Sequence, residues 1–284
     1  MTPDTLLANL TGPASIAGAP FGADLIALVG ALKARGGRAV YVARDDKQAE
    51  AALKLAEFTE PTLDLVHLPG WDVLPYDRIS PTPSVAARRC AALARLAQPA
   101  AGAQPMLVVT TGSSVVQRVP PLEVMRASSL SLAVGGVVTQ DDLVAYLSAN
   151  GYVRSSTVRE RGEYAIRGGI VDIYPPTSEW PIRLDFFGDT LESLRSFDPE
   201  TQRSRGNLKG MAFAPVSELL FNSDVLSGFR ERYLTRFGPP GGDPLYEAAR
   251  ASIRRQGIEN WLPLFYGEMD TLFDYAGTDA LFGV

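Results

Sequence analysis

The sequence contains one cysteine and one histidine, Cys90 and His67, among 284 residues. An internal disulfide needs two cysteines, and a zinc cluster needs several Cys or His ligands, so both kinds of site are excluded. Cys90 lies in an apolar helical stretch without a histidine that could activate its thiol, and we interpret it as a small core residue. The lack of disulfides is typical of a reducing compartment, and we expect a cytoplasmic location.

Basic runs and long apolar runs are also missing. The net charge is −5, whereas a protein that neutralises many phosphates usually shows a basic stripe. Extended wrapping of DNA is therefore disfavoured, although a local basic patch is compatible with this average. No apolar stretch reaches about 18 residues, and Met1 to Asp4 lack the basic start of a signal peptide. We therefore predict no membrane partner.

What is present is the composition of a globular protein, with 46% hydrophobic and 21% charged residues. The length suits two or three packed units. Between residues 25 and 111, apolar helices alternate with short apolar strands, which indicates a parallel α/β sheet covered on both faces. The helices are predicted at 25–32, 47–58 and 84–96, and the strands at 39–43, 64–68 and 106–110.

After residue 120 the pattern changes to consecutive strands separated by tight turns. A helix at 141–150 precedes strands predicted at 153–159, 169–174, 182–187 and 191–197. This order indicates an antiparallel sheet, and hence an inserted α+β domain. From about residue 207 the chain is mostly helical, with helices predicted at 223–237 and 244–256. The apolar ending 279–284 is typical of a strand, and we expect the chain to be a piece of a longer protein.

A parallel α/β domain calls for a search for a phosphate loop, and the candidate is Ser15 to Asp24. A working loop needs glycines for close backbone approach, a lysine for the outer phosphates and a Ser or Thr for magnesium. Gly18 and Gly22 have suggestive spacing, but Gly22 is followed by Ala23 and Asp24. At about 4 Å and an effective dielectric of about 20, the Asp24 carboxylate and one phosphate charge repel by about 4 kcal/mol. We interpret the segment as a degenerate phosphate loop, and we expect no cofactor and no ATP turnover.

Other polar groups do not form a catalytic pattern. Adjacent residues on a helix face different directions, so Asp45 and Asp46 fit a helix cap better than a pair of catalytic carboxylates. Asp72, Tyr76 and Asp77 form a polar and aromatic loop without metal-ligand partners, and we assign them to packing. We predict no catalytic residue, no metal site and no enzymatic activity for this chain.

The most distinctive segment is 159–203, which includes Tyr-Ala-Ile-Arg-Gly-Gly at 164–169 and Ile-Arg-Leu-Asp-Phe-Phe at 182–187. It closely resembles UvrB and, more specifically, the N-terminal UvrB-like module of the transcription-repair coupling factor (Mfd) family. The passages 68–78, 257–265 and 272–275 favour the coupling factor, and the resemblance covers nearly the whole chain. UvrB-like proteins keep an intact phosphate loop and a long tyrosine-rich hairpin that clamps DNA. Here the loop is degenerate, and only the short link 80–83 stands in the hairpin's place.

The resemblance implies a three-part architecture. Residues 1–126 and 207–284 would form a degenerate helicase-like α/β domain of the P-loop type, truncated at its C-terminal end. Residues 127–206 would be an inserted domain that docks onto UvrA, the excision-repair ATPase. In the family, this contact uses two arginines and a phenylalanine, which correspond by motif to Arg167, Arg183 and Phe187.

Strand alternation agrees with the resemblance for one of these strands. Residues two apart share a face, so Arg183, Asp185 and Phe187 point one way while Leu184 and Phe186 can enter the core. An arginine beside an exposed aromatic residue is a common composition of binding hot spots.

One alternative remains open for this surface. Phe187 could instead belong to the core, with the arginines paired to Glu163 or Asp185. Arg161, Glu163 and Arg195 are weaker candidates at the rim of the surface.

The predicted function is a non-catalytic module that recruits UvrA to stalled RNA polymerase. The resemblance implies that the polymerase contact, the DNA contact and an ATP-dependent DNA translocase lie in parts of the full-length protein that are absent here. One alternative is an ATP-dependent UvrB-like subunit of a DNA repair helicase. Another is a DNA-binding module, for which the sequence offers only scattered arginines.

Overall fold

The computed structural model describes residues 12–15, 17–20, 22–74, 77–99 and 104–284. Met1 to Asp4 and Tyr76 lie outside these residues. Contacts divide the chain into two compact units. The first comprises Met1–Gly70, Arg95–Leu122 and Asp270–Val284, and the second comprises Trp71–Ala94 and Glu123–Met269. The boundaries of the three parts named from the sequence stay a prediction.

Helices and strands alternate early in the chain, and strands follow one another in the middle. In chain order the helices are α1 (Ala23–Arg35), α2 (Asp46–Thr59), α3 (Pro83–Ala97), α4 (Gly112–Val115), α5 (Leu122–Ala127), α6 (Gln140–Ala149), α7 (Ser223–Phe237), α8 (Pro244–Arg250), a 3₁₀ turn (Ile258–Trp261), α9 (Leu262–Tyr266) and α10 (Leu272–Ala276). The strands are β1 (Arg38–Ala43), β2 (Asp64–Leu68), β3 (Met106–Thr111), β4 (Leu130–Ala133), β5 (Val153–Arg154), β6 (Glu163–Arg167), β7 (Ile170–Ile173), β8 (Ile182–Phe187), β9 (Thr190–Phe197), β10 (Ser204–Leu208), β11 (Gly210–Phe213) and β12 (Leu281–Gly283).

The first unit is built on a parallel sheet in the order β12-β1-β3-β2. Apolar side chains from α1, α2, β1 and β3 form one core, as expected for a sheet that carries helices on its faces. The parallel α/β architecture predicted from the alternation is confirmed, and the apolar ending of the chain contributes the strand β12. Asp45 caps the start of helix α2, where its carboxylate accepts a hydrogen bond from the Gln48 N–H at 2.8 Å, so the predicted cap is confirmed.

The second unit contains a six-stranded sheet in the order β10-β9-β8-β7-β6-β5. All its neighbours are antiparallel except β5 and β6, which run parallel. Strands β4 and β11 form a separate antiparallel pair. The antiparallel sheet predicted for the insert is confirmed, but four strands were not predicted from the sequence: β4, β6, β10 and β11.

The predicted strand 153–159 is wrong beyond Arg154. The Glu163 carboxylate accepts hydrogen bonds from the backbone N–H groups of Arg159 and Glu160, at 2.7 and 2.9 Å, and closes a turn there. The chain therefore leaves the extended path after Arg154 and resumes it only at β6, which runs parallel to β5. A carboxylate that binds the backbone locally competes in this way with extended structure.

One face of the six-stranded sheet is buried. Val171, Ile173, Ile182 and Leu184 lie on this inner face, together with further apolar residues from α6, β4 and β11. The opposite, outer face carries a small cluster at one end, formed by Val158, Ala165, Tyr174 and Phe197. The rest of the outer face holds polar and exposed side chains, and it contains the candidate site.

Helices α7, α8 and α9 pack around stacked aromatic rings, with the Phe229 and Phe265 centroids 4.3 Å apart. The helix predicted at 244–256 ends already at Arg250, and the residues that follow explain why. Ser252 has a positive φ of 55°, and the guanidinium of Arg254 donates hydrogen bonds to the carbonyls of Leu219 and Ala149. These tertiary bonds draw the chain out of the helical path.

Cys90 is fully buried on α3, and burial raises the pKa of its thiol well above the usual value. Its interpretation as a core residue is confirmed. Across the described ranges, no helix has both the length and the apolar character required to cross a bilayer.

Candidate functional site

Strand β8 divides its side chains between the two faces of the sheet. Ile182 and Leu184 are buried in the inner core, whereas Arg183, Asp185 and Phe187 alternate with them on the outer face. The register between β8 and β9 shifts after Asp185, because β9 contains one additional residue at that point. The bulge lies in the partner strand, so the alternation along β8 continues to its end.

Phe187 is 76% exposed at the last position of β8. It lies opposite Thr190 across a two-residue turn, whose first residue, Gly188, has a positive φ of 59°. Glycine adopts this conformation without steric cost, which is why two-residue hairpins commonly contain it. The alternative that placed Phe187 in the core is therefore wrong.

Arg167 lies on the same face at the end of β6. It is opposite Ile170 of β7, which is in turn opposite Asp185 of β8, and directly paired residues share a face of the sheet. The Arg167 side chain is exposed, and its guanidinium donates hydrogen bonds to the Ser156 carbonyl at 2.7 Å and the Thr157 hydroxyl at 3.2 Å. It therefore presents a positioned positive charge at the surface.

Arg183 has a different environment from Arg167. Its Nε lies 2.7 Å from Oδ1 of Asp172, and its Nη2 lies 2.8 Å from Oδ2, so the ion pair is bidentate. The side chain is only 16% exposed and that of Asp172 only 2%. The guanidinium also covers the Phe197 ring at 4.7 Å. The hydrogen bonds to Asp172 raise the pKa of Arg183, so the guanidinium stays charged.

These contacts correct the partners considered from the sequence. Arg183 pairs with Asp172, and Glu163 binds backbone N–H groups instead of an arginine. Asp185 is paired with a rim candidate, Arg195, and also accepts a hydrogen bond from Ser193 at 2.6 Å.

Asp172 also belongs to this site, although it was not predicted from the sequence. The available signal was an acidic residue inside the apolar run Ile170 to Ile173, since a carboxylate is rarely buried without a partner. The remaining rim candidate, Arg161, lies over the Tyr174 ring at 5.2 Å.

The segment considered as a phosphate loop precedes α1 in the first unit. Gly18 and Gly22 both have positive φ, 71° and 85°. Asp24 accepts a hydrogen bond from the Tyr41 hydroxyl at 2.9 Å. Burial and this bond raise the pKa of Tyr41 to about 12, so the hydroxyl stays protonated and keeps donating. Asp24 thus has a structural role, and the assignment of Gly18, Gly22, Ala23 and Asp24 to a degenerate loop stays a prediction.

Two further polar candidates have local structural roles. Asp72 accepts hydrogen bonds from the Thr82 N–H at 3.0 Å and the Thr82 hydroxyl at 2.6 Å. Asp77 accepts one from the Leu74 N–H at 3.0 Å. Within the part of the chain that the structure describes, no group of three or more His, Cys, Asp or Glu residues could hold a metal ion.

The candidate face lies in a segment that matches a known family model. Residues 130–219 match the family model described as the UvrB interaction domain. This match begins at the first residue of β4 and includes all of the six-stranded sheet.

Over most of its length the chain is similar to proteins described as transcription-repair-coupling factors. It is 32% identical over 264 residues to the protein of Haemophilus influenzae, covering 92% of this chain and 22% of that protein. It is 30% identical over 265 residues to the Escherichia coli protein, covering 92% of this chain and 22% of that one. The Rickettsia bellii protein is 31% identical over 237 residues, with 83% and 21% covered. The chain therefore spans about a fifth of the length of these relatives.

Proposed function

We propose that this chain is a non-catalytic module that binds the excision-repair protein UvrA and recruits it to stalled RNA polymerase. Binding takes place on the outer face of the six-stranded sheet, through Phe187 and Arg167, with Arg183 holding a supporting position. Residues 1–126 and 207–284 then form the degenerate helicase-like domain, and the segment that contains this sheet is inserted between them in the sequence. Contacts with RNA polymerase and DNA belong to other parts of the full-length protein, as does an ATP-dependent translocase activity.

The observation that carries the proposal is the exposed ring of Phe187 at the open end of a face that also presents Arg167. A phenylalanine that is 76% exposed loses hydrophobic stabilisation, whereas an interface that covers it recovers that stabilisation. Aromatic residues and arginine are enriched among interface hot spots. The two residues lie within the segment that matches the UvrB interaction domain.

The test is a binding titration of immobilised chain with purified UvrA, comparing wild type with Phe187→Ala. We expect the substitution to weaken binding by about fivefold to 150-fold, as hot-spot truncations of about 1–3 kcal/mol do. Phe58→Ala is the matched control, because Phe58 is 84% exposed on α2 of the first unit. Equal loss in both variants, or no saturable UvrA binding by wild type, would refute the proposal.

Arg167→Ala tests the electrostatic part of the same surface. We expect weaker binding, with a loss that shrinks as salt rises, because an exposed charge contributes mainly through a screened interaction. A loss of the same size at low and high salt would show that Arg167 does not act through its charge.

The proposal that the chain is non-catalytic has its own test. A working phosphate loop places a lysine near the outer phosphates, whereas Ala23 carries no charge. The next residue, Asp24 at the start of α1, is negatively charged and accepts a hydrogen bond from Tyr41. We expect no saturable binding of a fluorescent ATP analogue with magnesium in the micromolar range. Saturable binding there would favour the ATP-dependent helicase subunit instead.

A further inference from the structure

The open end of the outer face continues beyond the hairpin of β8 and β9 onto a neighbouring segment, Val134 to Val138. The N–H of Gly135 donates to the Leu191 carbonyl at 2.8 Å, and the N–H of Leu191 donates to the Gly136 carbonyl at 2.9 Å. The N–H of Val138 donates to the Asp189 carbonyl at 2.9 Å. Three backbone bonds therefore hold this segment against β9 and the turn that precedes it.

Val137 consequently shares a face with Phe187. Val137 is opposite Thr190 in an antiparallel bridge, and Thr190 is opposite Phe187 across the hairpin. Directly opposed residues project from the same side of a sheet, and neighbouring strands are about 4.8 Å apart. Val137 and Phe187 thus stand about 10 Å apart on one surface, with the exposed Thr190 between them.

The exposure of Val137 matches that of Phe187, at 77% and 76%. A single exposed valine needs no explanation, but this one lies in line with an exposed phenylalanine on a hydrogen-bonded frame. The turn that places it uses Gly135, with a φ of 85°, and Gly136, where a Cβ atom would lie 2.9 Å from the Ala133 carbonyl oxygen. Its position is therefore set by the backbone before any partner binds, which lowers the entropic cost of docking.

We propose that Val137, Thr190 and Phe187 form one docking strip, and that Val137 is a further residue by which UvrA is recognised. This inference rests on the proposed function, because it extends the same surface by one strand. The strip takes an apolar ridge of UvrA, while Arg167, at its border, faces an acidic group. UvrA is proposed as the partner because Val137 is continuous with the Phe187 surface, and not because Val137 is exposed.

The experiment measures the affinity of UvrA for the intact chain carrying Val137→Ala or Val137→Asp. Removing two methyl groups from a covered valine should weaken binding about threefold to tenfold, and an aspartate buried in an apolar contact should weaken it by at least about thirtyfold. Val116→Ala and Val116→Asp are the matched controls, because Val116 is 81% exposed in the first unit. Thermal melting of each variant should match wild type, since the Val137 side chain is exposed and its backbone bonds remain.

The possible outcomes separate this inference from the proposed function. Weaker binding by both Val137 variants, with unchanged Val116 variants, supports the strip. If Phe187→Ala weakens binding while Val137→Asp binds like wild type, the strip is wrong and the proposed function stands. If Val137→Asp melts lower than wild type, the Val137→Ala result decides the question. If wild type does not bind UvrA, the proposed function fails.

Discussion

Replacing Arg183 with alanine is expected to destabilise the second unit as well as weaken UvrA binding. The sequence alone suggests that alanine at Arg167, Arg183 or Phe187 leaves folding intact, and the structure changes that expectation for Arg183. Its guanidinium satisfies both oxygens of Asp172, whose side chain is only 2% exposed. Alanine would leave a buried carboxylate without its cation and would uncover the Phe197 ring.

The expected loss of stability follows from the burial of the ion pair between Arg183 and Asp172. Removing one partner of a buried ion pair typically costs about 3–5 kcal/mol, because the remaining charge is desolvated and unpaired. Arg183 keeps a partly exposed edge that water can reach, so we expect a loss near the lower limit, about 3 kcal/mol. For a unit of this size, that loss corresponds to a decrease in melting temperature of roughly 6–12 °C.

Thermal denaturation followed by circular dichroism measures this effect. Arg167→Ala is the matched arginine control, and it should melt close to wild type because Arg167 is exposed and has no carboxylate partner in the described structure. The double variant Arg183→Ala with Asp172→Asn should recover part of the loss, since the unpaired charge is removed. If Arg183→Ala melts within about 1 °C of wild type, the reasoning is wrong, and Arg183 is free to act mainly as a docking residue.

Three further predictions concern other parts of the second unit. Glu218→Gln should lower the free energy of unfolding by about 3 kcal/mol in urea titrations, because Glu218 pairs with the fully buried Arg89; an unchanged midpoint would contradict this. Gly169→Ala should lower it by about 1–2 kcal/mol, because the added Cβ would lie 2.8 Å from a backbone carbonyl oxygen of β8; a neutral effect would show that the hairpin yields. The hydrogen bond from Tyr233 lowers the pKa of Asp243 below its usual value. The ionised Asp243 therefore stabilises the folded state above about pH 4, and this stabilisation is lost as the pH falls through the lowered pKa of the folded state. Asp243→Asn should therefore lower the melting temperature at pH 7 more than at pH 2.5, and equal shifts would contradict this.

Much of the fold could be predicted because its signals are local. Helix α7 was predicted with its observed bounds, and the residues just outside it, Asn222 and Gly238, are suited to helix caps. The strands of the parallel sheet were predicted from short apolar runs between helices. The end of α8 was not predictable, because it depends on Arg254 reaching carbonyl groups far away in the sequence.

In the candidate site, too, features with a local signal could be predicted and features set by distant residues could not. The exposure of Phe187 could be predicted from alternation along β8, because the apolar Ile182 and Leu184 require the inner face. Val137 could not be assigned to the site, because its neighbour Thr190 is about 50 residues away and the pairing leaves no local pattern.

By itself, the sequence determined the alternating helices and strands of the parallel sheet, helix α7, the family resemblance, and the outward direction of Phe187. Each of these follows from periodicity or from a contiguous motif. Only the tertiary structure decided that Arg183 is bound to Asp172, that Asp24 is held by Tyr41, and that Val137 lies opposite Thr190, in line with Phe187. These facts depend on which strands and helices lie beside one another, and the energy of a charged or apolar side chain is set by those neighbours.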